Sequence, residues 1–131
     1  MKKILLIEDD YKIRFLLKRL LEKRFILALS EAENGLKGLE VYKAEAPFLI
    51  FLDLGMPVMN GVEFLEELRK TDTQTPVVVV TCFNSKEAVH QMVALGITDY
   101  LVKTDFILRL EERITDILEK VRKSLRYEPN S

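Results

Sequence analysis

Residues 48–61, FLIFLDLGMPVMNG, decide how this chain reads. The apolar run 48–52 ends in one carboxylate, Asp53, and a Gly and Pro turn leads straight into a helical pattern. A short apolar run with turn signals at both ends reads as a fully buried strand. Asp53 then stands at its carboxyl end. In open α/β sheets that edge, at the point where strand order reverses, is where ligands bind.

Working outward, Asn60 and Glu63 resemble a capping box ahead of the apolar stripe Val62, Leu65 and Leu68, and this helix ends near Lys70. Upstream, residues 4–7 form a second apolar run, closed by Glu8, Asp9 and Asp10 and followed at helical spacing by Ile13, Leu16, Leu17, Leu20 and Leu21. Residues 25–32 read as a weaker, more alternating strand ended by Asn34-Gly35. Leu36, Leu39, Val41 and Tyr42 suggest a helix that stops before Pro47. Downstream, 77–80 is a fourth buried strand ending at Thr81. Asn84 and Glu87 repeat the capping pattern, Val89, Met92, Val93 and Leu95 carry a helix, and Gly96 falls where a left-handed C-cap is expected. Residues 100–102 make a fifth strand closed by Lys103. Leu110, Ile114, Ile117, Leu118, Val121 and Leu125 mark a long last helix whose basic end suits the negative pole of the helix dipole.

Strands alternating with helices imply an α/β fold with a parallel sheet covered on both faces. The acids that end the first and third strands suggest neighbours at a switch point. A doubly wound five-stranded sheet in the order 2-1-3-4-5, flavodoxin-like, with helices on both faces is therefore expected. One domain should occupy 1–127, with 128–131 a frayed tail.

The composition suits one compact soluble domain: 131 residues, 48% hydrophobic and 31% charged. Lys and Arg number 20 against 21 Asp and Glu, so no overall basic field recruits nucleic acid or an anionic membrane. The single cysteine, Cys82, excludes an internal disulfide framework and fits a reducing, cytoplasmic setting. The basic and apolar start is cut short by Glu8, Asp9 and Asp10, too early for a signal peptide, and no run approaches a membrane span.

Four of the expected strands end in a chemically useful side chain: Glu8 and Asp9, Asp53, Thr81, and Lys103. A parallel sheet brings these ends to one edge. Two carboxylates about 4 Å apart repel by roughly 4 kcal/mol at an effective dielectric near 20, so the acids need a counter-charge. A hard divalent cation such as Mg²⁺, with its preference for carboxylate, water and phosphate oxygens, is the natural one. Lys103 adds a mobile positive charge and Thr81 a hydroxyl donor. Together they look like an apparatus for moving a phosphoryl group onto Asp53.

Nearly the whole chain resembles the receiver domains of bacterial two-component response regulators. ILLIEDD resembles the family's first strand with its acidic pair, DLGMPVMNG the phosphoacceptor loop, VVVVTC the fourth strand with its switch hydroxyl, and DYLVK the fifth strand with its lysine. The expected strand order is itself that of the family's chemotaxis receivers. The resemblance implies that Asp53 is phosphorylated and that Glu8, Asp9, Asp53 and the backbone carbonyl of Gly55 hold Mg²⁺, Glu8 through water. Thr81 and Lys103 would contact the phosphoryl group. Thr81 and Tyr100 would act as the switch, remodelling the face of the fourth helix, fifth strand and fifth helix. It further implies a sensor histidine kinase or phosphotransfer protein as donor, a downstream protein or effector domain as target, and dimerisation through the remodelled face. Thr104 departs from the pattern, standing where the family usually has a proline. Gly55 and Phe83, two residues beyond Asp53 and Thr81, should flank the phosphate.

Taken singly, the residues have plainer readings. Asp9 or Asp10 can be a helix cap, with Asp10 assigned as one; Thr81 an ordinary strand residue; Lys103 a snorkelling end residue; Tyr100 a half-buried strand aromatic. Cys82 is expected to be a core thiol and His90 to face solvent or an interface. A flavin or nucleotide-binding protein of this fold should offer glycines or hydroxyls after the first strand, where this chain has acids. A metal-dependent phosphohydrolase would commonly carry a second acid at the position of Gly55. A degenerate receiver acting as a phosphorylation-independent interaction module is the alternative to the phosphorylated switch.

Overall fold

The computed structural model describes residues 3–23, 28–103 and 107–125. In chain order they form β1 (Lys3–Ile7), α1 (Tyr11–Glu22), β2 (Ala28–Ala32), α2 (Gly35–Glu45), β3 (Leu49–Leu52), α3 (Gly61–Arg69), β4 (Val77–Thr81), α4 (Lys86–Ala94), β5 (Asp99–Val102) and α5 (Ile107–Leu125). All strand pairs are parallel, in the expected order β2-β1-β3-β4-β5. Expectations placed on 25–27, on Thr104, and on the tail at 128–131 lie outside the described residues, as do those on the side chains of Leu110 and Leu125.

The side-chain alternation of the strands builds two cores. Ile4, Leu6, Leu49, Phe51, Val78 and Val80 face Leu17 and Leu21 of α1 and Ile114, Ile117, Leu118 and Val121 of α5. Leu5, Ile7, Ile50, Leu52, Val77 and Val79 face α3 through Phe64, Leu65 and Leu68, α4 through Met92, and α2 through Leu39 and Tyr42. Burial on both faces explains why β1, β3 and β4 read as unbroken apolar runs. Each fully buried Leu or Ile contributes about 2 kcal/mol.

Local chemistry sets the helix ends. Asp10 caps α1 by accepting from the Lys12 N–H at 2.9 Å. Asn34 does more than end β2: its side chain caps α2. The capping box at α3 is complete, with Asn60 Oδ1 accepting from Glu63 N at 2.9 Å and Glu63 Oε1 accepting from Asn60 N at 3.1 Å. At α4 the expected pair Asn84 and Glu87 is displaced by one residue. Ser85 is the cap, accepting from Ala88 N at 3.2 Å, because the helix begins at Lys86 and puts Ala88 at the third position. Gly96 has φ +74, the left-handed conformation expected beyond α4.

Cys82 is exposed, not a core thiol. The sheet closes at Thr81, whose carbonyl accepts from Lys103 N at 2.8 Å, and the chain then turns away from the core. His90 is exposed, as expected. At the opposite rim of the sheet, Arg69 donates to four carbonyls, those of Leu95, Asp72, Thr75 and Gly96, at 2.8 to 3.1 Å. Asp72 beside it accepts from the hydroxyls of Tyr42 and Thr75. This network joins α2, α3, the turn before β4 and the turn before β5. No described helix is long and apolar enough to cross a membrane.

Candidate functional site

Two backbone bonds set the acid edge. Beyond the paired strands, Glu8 N donates to Ala32 O and Asp53 N to Ile7 O, both at 2.9 Å. Chain growth reverses between β1 and β3, so Glu8 and Asp53 lie side by side at the switch point. The β3–α3 turn then folds back tightly, with Gly61 N donating to Leu54 O at 3.0 Å. Gly61 is needed there because a Cβ would fall 2.1 Å from the Asp53 carbonyl oxygen. In the same turn Val58 is held at φ 69 with its side chain in solvent, a conformation that costs a β-branched residue about 1–2 kcal/mol.

The structure brings together Glu8, Asp9, Asp53, Thr81 and Lys103. Glu8 is 2% exposed, Asp53 5% and Thr81 1%. Carboxylate oxygens of Glu8, Asp9 and Asp53 lie within 4.8 Å of one another, Asp9 on the exposed side. Lys103 reaches over them with its ammonium 2.6 Å from Glu8 Oε1 and 3.2 Å from Asp53 Oδ2. The counter-charge required by the acids is thus supplied in part by the chain itself. The approach to Glu8 Oε1 lies outside hydrogen-bonding geometry, so this buried oxygen has a charge beside it and no aligned donor. Its partner oxygen, Oε2, accepts from Asp10 N at 3.1 Å.

Burial pushes the Glu8 carboxyl up to about 7, with the charge of Asp53 adding to the effect and Lys103 and the Asp10 N–H opposing it. Burial alone would lower Lys103, but its two carboxylate neighbours more than offset this and hold it above the usual lysine value. Lys103 thus holds its proton more firmly than a free lysine, and Glu8 takes one up more readily than a free carboxylate.

Gly55 is exposed and its N–H makes a long 3.4 Å contact to Asp53 Oδ1. The ring of Phe83 lies over Gly55, since a Cβ there would meet ring atoms at 3.1 and 3.2 Å. Thr81 Oγ1 accepts from Phe83 N at 3.4 Å. Tyr100 is half-buried and donates its hydroxyl to the Phe83 carbonyl at 2.6 Å, so the residue expected to switch is already tied to the loop after Thr81. Burial, with the charge of Asp53, raises its phenol pKa.

Sequence reading missed Arg14, whose Nη1 donates to the Glu8 carbonyl at 2.6 Å. The available signal was a cation in the first turns of a helix, against the dipole, with no acid in the first turn to answer it.

The donor set fits a hard divalent ion: carboxylate oxygens converge, one buried oxygen lacks an aligned donor, and no sulfur or imidazole intrudes among the described residues. The acids after β1 leave no glycine cradle of the kind that binds nucleotide phosphate.

Comparison with known proteins agrees with this geometry. The sequence model of the response regulator receiver domain matches residues 4–115. The chain is 32% identical over 117 residues to chemotaxis protein CheY of Halobacterium salinarum, covering 89% of this chain and 97% of that protein. It is 30% identical over 102 residues to sporulation initiation phosphotransferase F of Bacillus subtilis, covering 78% and 82%. Among solved structures, a CheY-like receiver domain protein of Methanospirillum hungatei superposes with TM-score 0.81 at 27% identity, covering 95% and 98%. The Mn²⁺-bound response regulator Rcp1 gives 0.79 at 27% identity, covering 89% and 91%. With the strand order, the acid edge and these relatives in agreement, the chain belongs to the response regulator receiver domains, the phosphorylation-dependent switches of two-component signalling.

Proposed function

We propose that Asp53 is the phosphoacceptor and that Glu8, Asp9, Asp53 and the Gly55 carbonyl hold Mg²⁺ beside it. The observation that carries this reading is the convergence of three carboxylates and one lysine, from the ends of β1, β3 and β5, on one edge of the sheet. A relative that carries Mn²⁺ and another named as a phosphotransferase support it. Bound Mg²⁺ would neutralise charge on the phosphoryl oxygens and on the acids around them. An Asp53 carboxylate oxygen forms the new bond to phosphorus while the donor's bond to phosphorus breaks, its electron pair leaving with the donor. Lys103 holds the Asp53 carboxylate and offers its ammonium to the arriving negative charge. Thr81 supplies a hydroxyl to the phosphoryl group from the end of the neighbouring strand. Phe83, seated on Gly55, stands at the edge of the acceptor and limits the approach of water.

The donor is a sensor histidine kinase or a phosphotransfer protein. Engagement of Thr81 by the phosphoryl group draws on the loop that Tyr100 holds through the Phe83 carbonyl, and the face of α4, β5 and α5 is remodelled for a downstream protein, an effector domain or a second copy. Intact mass after incubation with acetyl phosphate tests this, with and without Mg²⁺, on wild type and Asp53→Asn. One added phosphoryl group that requires both Mg²⁺ and Asp53 is expected. No adduct under any condition, the cognate kinase included, would leave a phosphorylation-independent interaction module as the better reading.

A further inference from the structure

Arg14 belongs to α1 and carries none of the proposed ligands, yet its guanidinium reaches back to the turn that does. Nη1 donates to the Glu8 carbonyl oxygen at 2.6 Å, and Nε donates to Glu31 Oε1 on the edge strand β2 at 3.1 Å. The side chain is largely buried between these partners. The Glu8 carbonyl belongs to the peptide that joins Glu8 to Asp9. The orientation of that peptide plane sets how the two carboxylates diverge, one buried beside Asp53 and the other at the surface. A planar guanidinium held by two partners has little freedom left.

We propose that Arg14, braced by Glu31, is a positioning residue for divalent-cation binding: it fixes the Glu8–Asp9 peptide so that both carboxylates serve one ion. The inference rests on the cation reading given above. Helix stability does not account for Arg14, because a cation in the first turns of α1 runs against the dipole. General attraction to acids does not account for it either. Lys18, one turn further on, approaches the same Glu31 only to 3.8 Å and is half exposed. Groups that orient metal ligands from outside typically govern about 10- to 100-fold of the metal affinity.

The test is calorimetric titration of Mg²⁺ into the 131-residue chain, with Arg14→Ala, Arg14→Lys, Glu31→Gln and Lys18→Ala beside wild type and urea midpoints in EDTA as a check on folding. Arg14→Ala should raise the Kd for Mg²⁺ roughly 10-fold or more, Glu31→Gln should raise it less, and Lys18→Ala should leave it unchanged. Arg14→Lys keeps the charge without a fork to span both partners and should recover only part of the affinity. Phosphorylation of Arg14→Ala by acetyl phosphate should need more Mg²⁺ but reach the wild-type rate at saturation. An unchanged Kd in folded Arg14→Ala, or an equal loss in Lys18→Ala, overturns the assignment. If Arg14→Ala does not fold, Glu31→Gln decides, and an unchanged Kd there overturns it. Wild type that binds no Mg²⁺ overturns the cation reading itself, a result distinct from wild type that binds while Arg14→Ala binds equally well.

Discussion

Replacing Glu8 by Gln, in EDTA, should stabilise the protein at pH 8 and leave it nearly unchanged at pH 4. Glu8 is buried beside Asp53, and its carboxyl is pushed from 4.5 to about 7. The native state thus holds this proton more tightly than the unfolded chain does. Stability from this group is present below 4.5, declines as pH rises, and is fully lost above about 7. The gap corresponds to roughly 3 kcal/mol, and water at the open rim of the sheet screens part of it, leaving about 2 kcal/mol for Gln to recover. Gln keeps an oxygen for the Asp10 N–H, its amide nitrogen takes the place of Oε1, and the Lys103 ammonium, 2.6 Å from that oxygen in wild type, shifts toward Asp53, which it already meets at 3.2 Å. The chain has no tryptophan, so urea unfolding is best followed by far-UV circular dichroism, where about 2 kcal/mol moves the midpoint by roughly 1 M. Saturating Mg²⁺ should reverse the order by rewarding the carboxylate that Gln lacks. A Gln variant less stable at pH 8 in EDTA, or equally stabilised at pH 4 and pH 8, would refute the electrostatic account of the acid edge.

Ala46 closes α2 at φ 47, so Ala46→Gly should raise the urea midpoint by the equivalent of about 1 kcal/mol. Val58→Asn, at φ 69 with an exposed side chain, should gain about as much in the same assay. Gly61→Ala forces a Cβ against the Asp53 carbonyl and should cost about 3 kcal/mol, with phosphoryl uptake measured by intact mass falling alongside. Burial works against ionisation of Asp72, but bonds from the Thr75 and Tyr42 hydroxyls and the Thr75 and Gln74 N–H groups hold it well below the usual carboxylate range. A depressed carboxylate stabilises above its ordinary pKa and loses that contribution as pH falls. Asp72→Asn should therefore lower the melting temperature at pH 7, the difference closing in acid; a difference independent of pH would count against the network.

Strands buried on both faces announce themselves as apolar runs, and so β1, β3 and β4 and the chemistry at their ends were legible from residues 4–7, 48–52 and 77–80 alone. Where the acids fell suggested that β1 and β3 are neighbours, because repelling carboxylates on separate strands are best explained by a shared site; the rest of the order was the one usual for this class of sheet. What stayed hidden depended on where the chain turns after a strand ends. Cys82 continues an apolar run on paper, yet the sheet closes one residue earlier and the thiol faces water. Asn84 and Ser85 are both capable caps, and only the start of α4 at Lys86 chooses between them. Arg14 reaches the Glu8 carbonyl and Tyr100 the Phe83 carbonyl, and because every residue carries a carbonyl, no side-chain pattern could have signalled these two contacts.

Arg69 gives the molecule two unlike poles. Its four carbonyl partners stitch the turns at one end of the sheet, through atoms that survive almost any change of neighbouring side chain. The opposite end carries the exposed Tyr11 at the start of α1 and the exposed Val58 and Phe83 in its loops. Fastening kept at one pole leaves the vocabulary of the other open to revision: side chains there can be exchanged to address a new partner while the scaffold that aims Asp53 is maintained from behind.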